Sequence, residues 1–265
     1  MRLTIKHTTR YSFDAPVRYG LQQLRKTPKS TYNQSVLKWD TQIENGKREA
    51  VFEDHHRNTT ELISFDADTL TLSVVCDGEV EISDNNGILG NHQGCAPLWL
   101  YQRATPQTVA GSGTKALLKG LSAKDGLAAL HELSERIRDA VQYTLGASEP
   151  DWTAEDALSA AKGVCQDHTH IFLAAARSLA IPARYVSGYL MLNETITQEA
   201  MHAWAEAFVD GLGWVGFDIS NGISPDTRYV RVATGLDYSD AAPVSGTRVG
   251  GAGEQLDVQI QVIQQ

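Results

Sequence analysis

Apolar residues alternate along the first ninety or so positions and then recur with a helical repeat, and this change of period limits the fold more than any other feature. Leu3, Ile5, Tyr11 and Phe13 fall at near period-two spacing, and the run from Thr69 to Val75 alternates cleanly. Asn45-Gly46 lies between two strand-like runs and predicts a hairpin. Asp77-Gly78 predicts a turn ahead of the run Glu79 to Ile82. A Gly/Asn/Pro-rich stretch follows from Asp84 to Gly94, with Pro97, Pro106 and Gly111-Ser112-Gly113 beyond it, and it reads as a linker. The expected division is a β-rich unit over 1–105 and a second unit over 106–265.

In the second unit Ser122 and Asp125 open a helix whose face is Leu127, Leu130, Ser134, Ile137 and Val141. Thr153 and Asp156 repeat the start signal for a short helix ending near Gly163. A third helix begins around Cys165, buries Ile171, Phe172, Ala175, Ala176 and Leu179, and stops before Pro182. Strands are expected at 184–190, 202–209 and 214–218, with a last one through Leu256, Val258, Ile260 and Val262; the Gly/Ala/Ser-rich stretch 241–253 reads as a loop. The pattern is that of an α+β protein.

With 265 residues, 42% of them hydrophobic, the chain can build a substantial core. A net charge of −9 without a basic cluster argues against nucleic acid or an anionic membrane as partner. The N-terminus carries no signal-like apolar stretch and no run approaches a membrane span, so a soluble cytoplasmic protein is expected. Three scattered cysteines, Cys76, Cys95 and Cys165, do not make a disulfide framework. In a reducing compartment they fit one working thiol and two bystanders.

Cys165 is the candidate thiol. A helix start offers unpaired backbone N–H groups and the positive end of the dipole, both of which favour a thiolate. His202 and Asp218 follow on strand-like segments, as a proton carrier and an orienting carboxylate require. They share a face only in one register. If Val209 pairs with Gly213 around Asp210-Gly211-Leu212, Asp218 falls opposite Trp204 and diagonal to His202; a four-residue loop would put it on the wrong face.

The segments Gly-Val-Cys-Gln-Asp-His-Thr-His (163–170), Ile-Pro-Ala-Arg-Tyr-Val-Ser-Gly-Tyr (181–189), His-Ala-Trp-Ala-Glu (202–206), Gly-Trp-Val-Gly-Phe-Asp (213–218) and Gly-Leu-Asp-Tyr-Ser-Asp (235–240) together resemble the bacterial transglutaminase-like cysteine proteases. The β-rich first half resembles the N-terminal region that accompanies this core. The resemblance implies a papain-like fold, a catalytic helix against an antiparallel sheet. It implies Cys165 as nucleophile, His202 as general base and acid, and Asp218 as orienting residue. The activity class it implies is attack on a peptide, amide or ester carbonyl through a thioester. Water as acceptor gives hydrolysis and an amine gives acyl transfer; a catalytically silent binding scaffold is the rival from another class. The chain departs from the family pattern in three places: Ile219-Ser220 stands in place of the usual Pro-Thr, Leu236 in place of Arg, and His168 in place of Phe.

The same resemblance implies a second oxyanion donor from the region of Tyr143 and Trp152, with Trp152 ranked ahead. Gln166, His170 and Trp204 are further candidates for lining the site, although a core role is the commoner one for a helix histidine or a strand tryptophan. Arg184 is expected to pair with a carboxylate. Cys76 reads as a small core residue. His55-His56, if on a strand, point to opposite faces. The expected chemistry needs no cofactor. No metal-ligand spacing is present, nor is a calcium loop.

Overall fold

The computed structural model describes residues 1–149, 151–192 and 196–265. In chain order it contains β1 (Arg2–Leu24), β2 (Gln34–Glu44), β3 (Gly46–Glu53), β4 (Thr59–Phe65), β5 (Thr69–Ile82) and β6 (Ile88–Gly90). Next come α1 (Ser112–Leu117), α2 (Gly126–Ala140), β7 (Gln142–Tyr143), α3 (Ala154–Ala160), β8 (Lys162–Gly163) and α4 (Cys165–Ser178). The chain ends with β9 (Ala183–Leu190), β10 (Thr197–Gln198), β11 (His202–Val209), β12 (Gly213–Phe217), β13 (Tyr229–Gly235), α5 (Tyr238–Ala241), β14 (Val244–Gly250) and β15 (Gln255–Gln264).

The long strand β1 organises the larger sheet. Its residues 2–12 pair with β5 on one side and β15 on the other. Its residues 17–24 pair with β14, and residues 21–24 also pair with β4. The ladders to β5 and β14 are irregular between residues 12 and 19, near Pro16, which has no N–H to donate. Along β1, positions 3, 5, 7, 9, 11 and 13 are all buried, as alternation requires. Four of these are apolar; the exceptions are His7 and Thr9.

The smaller sheet runs β13-β9-β11-β12-β6, entirely antiparallel among the described residues. Helix α4 packs on it. Ile171, Phe172 and Leu173 are fully buried with Ala205, Ala207 and Phe217 of the sheet. Burial of each of these large side chains contributes about 1.5–3 kcal/mol. Leu3, Ile5, Val80, Ile260 and Val262 of the larger sheet join the same core, so the two sheets share one apolar interior. The architecture is the α+β arrangement expected, a helix against an antiparallel sheet with a β-rich region before it.

Five local readings are corrected. Asn45-Gly46 makes a corner: β2 pairs with β5 while β3 pairs with β4. Asn45 takes φ 60°, but Gly46 does not take a positive φ, and the two-residue hairpin turn needs it at both positions. Asp77-Gly78 lies inside the continuous β5. Gly78 is there because a Cβ would come within 2.3 Å of the Lys38 carbonyl and 2.5 Å of the Trp39 ring, beside a bulge in β2. The presumed linker Gly111-Ser112-Gly113 starts α1, and the Glu155 carboxylate accepts from the N–H groups of Gly111, Gly113 and Thr114, each at 2.9 Å. The stretch read as a loop over 241–253 contains β14. His55 and His56 sit in a turn, the first exposed and the second buried.

Each sheet draws strands from both halves of the chain. β6 joins the smaller sheet before residue 105, and β10, β14 and β15 return to the larger one after it. Strands distant in sequence complete both sheets because an open edge is covered by whichever strand lies beside it.

Candidate active site

Cys165 is the first residue of α4. Asp167 fixes this helix start: its buried carboxylate accepts from the Val164 N–H at 2.7 Å and from Ser148 Oγ at 3.0 Å. Gly163 makes room for it, since a Cβ there would lie 2.8 Å from Asp167 Oδ2. His168 ties the same turn to the loop after Asp218. Its Nε2 faces the Val141 carbonyl at 2.9 Å and therefore carries the proton, leaving Nδ1 to accept from Ser220 Oγ at 2.9 Å. Burial pushes this imidazole toward its neutral form.

The hairpin between β11 and β12 has the register the chemistry required: Val209 opposes Gly213 and Ala205 opposes Phe217, so the next residue, Asp218, falls opposite Trp204. His202 Nε2 lies 2.6 Å from Asp218 Oδ2. The same oxygen accepts from Tyr229 Oη at 2.7 Å and Asn221 Nδ2 at 2.7 Å, and Oδ1 accepts from the Asn221 N–H at 3.1 Å. Burial opposes ionisation of Asp218, but the bonds from His202, Tyr229 and Asn221 outweigh it and hold the carboxylate below its usual range.

His202 opens β11 at the end of the sheet and lines the same cavity as Cys165 at the start of α4. Burial disfavours its charge, yet the neighbouring Cys165 and the bond to Asp218 prevail and raise it to about 10. With Nε2 given to Asp218, Nδ1 is the nitrogen left for the thiol. Trp204 stacks on the His202 ring at 6.2 Å between centroids and meets Tyr229 edge-on at 5.5 Å.

A cavity of about 350 Å³ opens beside Cys165 and His202. The smaller sheet supplies Tyr185 and Ser187, the α5 region supplies Tyr238, and β1 and β15 of the larger sheet supply His7, Thr9 and Val258. Both halves of the chain therefore wall the groove.

Among the other candidates, Gln166 lines this cavity. Tyr143 is half exposed and packs against His168 at 6.1 Å; burial, then the charges of Cys165 and Asp218, push its phenol up to about 12. Trp152 packs against the core. The charge of Cys165 is felt at the Tyr143 phenol. Trp204 is 2% exposed and belongs to a core cluster with Val186, Leu190 and Tyr229, supporting His202 from behind. Trp214 lies away from the site under Arg184, whose guanidinium stands 3.8 Å from its ring centre. His170 is fully buried: Nε2 accepts from the Tyr238 N–H at 3.2 Å, and burial pushes its imidazolium down to about 3, so it positions the Tyr238 segment rather than lining the cavity. Arg184 pairs with the buried Glu206 at 2.6 Å, and Arg231 completes the pair from the other side at 2.7 Å.

Sequence reasoning missed Tyr229, Tyr185, Tyr238, His7, Thr9 and Lys26. Asn221 stood in the Asp-Ile-Ser-Asn segment without a role. For His7 and Thr9 a signal existed: polar residues at inward positions of an otherwise apolar alternation face something other than core.

Residues 115–219 match the family model described as the transglutaminase-like superfamily, and residues 3–81 match the bacterial transglutaminase-like N-terminal region. The chain belongs to the transglutaminase-like superfamily. The transglutaminase-like core thus brings Cys165, His202 and Asp218 within the matched segment, and a Cys-based enzyme is the general class this supports. An uncharacterized protein of Mycobacterium leprae is 26% identical over 276 residues, covering 98% of each chain. An uncharacterized protein of Mycobacterium tuberculosis is 31% identical over 145 residues, which is 51% of this chain and 46% of that protein. A crystal structure of a candidate cysteine protease from Cytophaga hutchinsonii superposes with a TM-score of 0.79 at 20% identity, covering 99% of this chain and 90% of the other, and shares the fold.

Proposed function

We propose that this transglutaminase-like chain hydrolyses a peptide or amide bond through a thioester on Cys165. The observation that carries the reading is the imidazole of His202, held by Asp218 at 2.6 Å and lining the same cavity as Cys165. Cys165 Sγ attacks the carbonyl carbon, forming a C–S bond while the carbonyl electron pair moves to oxygen. The Cys165 N–H, in the first helical turn, is placed to donate to that oxyanion. As the C–N bond breaks, the His202 imidazolium gives its proton to the departing amine. His202 then takes a proton from water, the resulting hydroxide attacks the thioester, and the acid leaves with the thiol restored.

The substrate class is a peptide or protein, and the place of action is the cytoplasm. Incubation with a quenched peptide library, with and without a primary amine, tests the reading. Cleavage independent of the amine is expected. Products that form only with the amine attached would make the enzyme an acyltransferase, and full turnover by Cys165→Ala would end both readings.

A further inference from the structure

Lys26 is 1% exposed, yet it lines the same cavity as Cys165 and His202. A closed hydrogen-bonded ring accounts for one of its protons. Lys26 Nζ donates to Thr9 Oγ1. The Thr9 hydroxyl lies 3.1 Å from His7 Nε2, and His7 Nδ1 lies 3.1 Å from Tyr189 Oη. Tyr189 in turn donates to the Lys26 carbonyl at 3.3 Å. With Tyr189 donating there, its oxygen accepts from His7 Nδ1–H; burial and the Lys26 charge keep His7 neutral, so His7 Nε2 accepts from Thr9. His7 is neutral in this ring, and burial favours that form.

An ammonium has three donors, and the ring uses one. Among the described residues no carboxylate lies within salt-bridge distance of Lys26. Two protein groups act on it electrostatically: Cys76, whose thiol burial keeps in its neutral form, and Glu61, which is occupied by Arg48 at 2.5 Å. Burial pulls the ammonium down only to about 8, so it is mostly charged at neutral pH. Buried charges are ordinarily paired, and the unfilled space that Lys26 borders is the cavity. Glu199 lies at the exposed mouth, where a charge of opposite sign does not neutralise Lys26 in the interior.

Resting on the hydrolase reading above, we propose that Lys26 is a specificity residue that binds a carboxylate of the acyl donor, so that the preferred substrate carries an acidic group close to the scissile carbonyl. That group is either an Asp or Glu side chain or a free peptide C-terminus.

Three thiol reagents test this without turnover: N-iodoacetyl-glutamate α-amide carries a side-chain carboxylate, N-iodoacetyl-glutamine free acid carries an α-carboxylate, and N-iodoacetyl-glutamine α-amide carries neither. Alkylation of Cys165 is followed by mass spectrometry at neutral pH. At least one acidic reagent should react tenfold or more faster than the neutral one, and the faster of the two identifies the source of the carboxylate. Lys26→Met should bring the ratio to within twofold of one. Lys26→Gln, which keeps a donor toward Thr9 without the charge, should do the same and serves if the first variant does not fold. Equal rates in the native protein, or a preference that survives in a folded variant, would overturn the assignment. Failure to cleave any peptide would instead sink the hydrolase reading and leave these rates interpretable.

Discussion

Asp218→Asn separates the carboxylate's charge from its geometry. Asp218 Oδ2 receives three donors, from His202, Tyr229 and Asn221, while Oδ1 receives only the Asn221 N–H. An asparagine therefore sets its carbonyl at the Oδ2 position and its amide against one backbone N–H. That donor–donor conflict costs about 1–3 kcal/mol of stability. The carbonyl still accepts from His202 Nε2, so the tautomer that leaves Nδ1 toward Cys165 is retained. What is lost is the charge beneath the imidazolium. A hydrogen bond to a charged group contributes about 1.5–3 kcal/mol against about 0.5–1.5 for a neutral one, a difference of about 1–2 kcal/mol. At about 1.4 kcal/mol per tenfold, iodoacetamide should alkylate Cys165 about five- to thirtyfold more slowly at pH 6. An unchanged rate would refute a role for the charge. A loss of several thousandfold would refute the retained tautomer.

Three other outcomes follow from the geometry. Gly163→Ala drives a Cβ against Asp167, so the helix start around Cys165 should lose its cap, lowering stability by about 0.5–2 kcal/mol in thermal melts and slowing Cys165 alkylation. Burial opposes ionisation of Glu206, but Arg231 and Arg184 hold it down to about 2; this stability is complete above the ordinary glutamate range and is lost as pH falls toward 2. Glu206→Gln should therefore cost about 3–5 kcal/mol near neutral pH and flatten the acid limb of the stability profile, as denaturant titrations at several pH values would record. In Cys165→Ala the largest influence raising His202 disappears, so NMR should place its titration well below 10; a value unchanged from the native protein would show that the two side chains are not partners.

The site was more legible in the sequence than the sheets around it. Cys165, His202 and Asp218 could be joined because a helix start is a local signal and the 210–212 loop permits only one register that puts both side chains on one face. The cap Thr153–Asp156 formed for the same local reason. Readings failed where a glycine served a neighbour distant in sequence. Gly78 yields to Trp39 across the sheet, and Gly111 makes room for Glu155. The return of β14 and β15 to β1 is likewise a tertiary choice: the sequence 244–250 has little apolar alternation and becomes a strand because the edge of β1 is there to pair with.

The most direct measurement is the rate of iodoacetamide labelling of the three native cysteines at pH 6. Cys95 is exposed, Cys76 is buried and Cys165 is intermediate, so accessibility alone would make Cys95 the fastest. A thiol paired with the His202 imidazolium reverses that order, and Cys165 should react at least tenfold faster than Cys95. Labelling of Cys165 at or below the rate of Cys95 would contradict the assignment of Cys165 as the activated nucleophile.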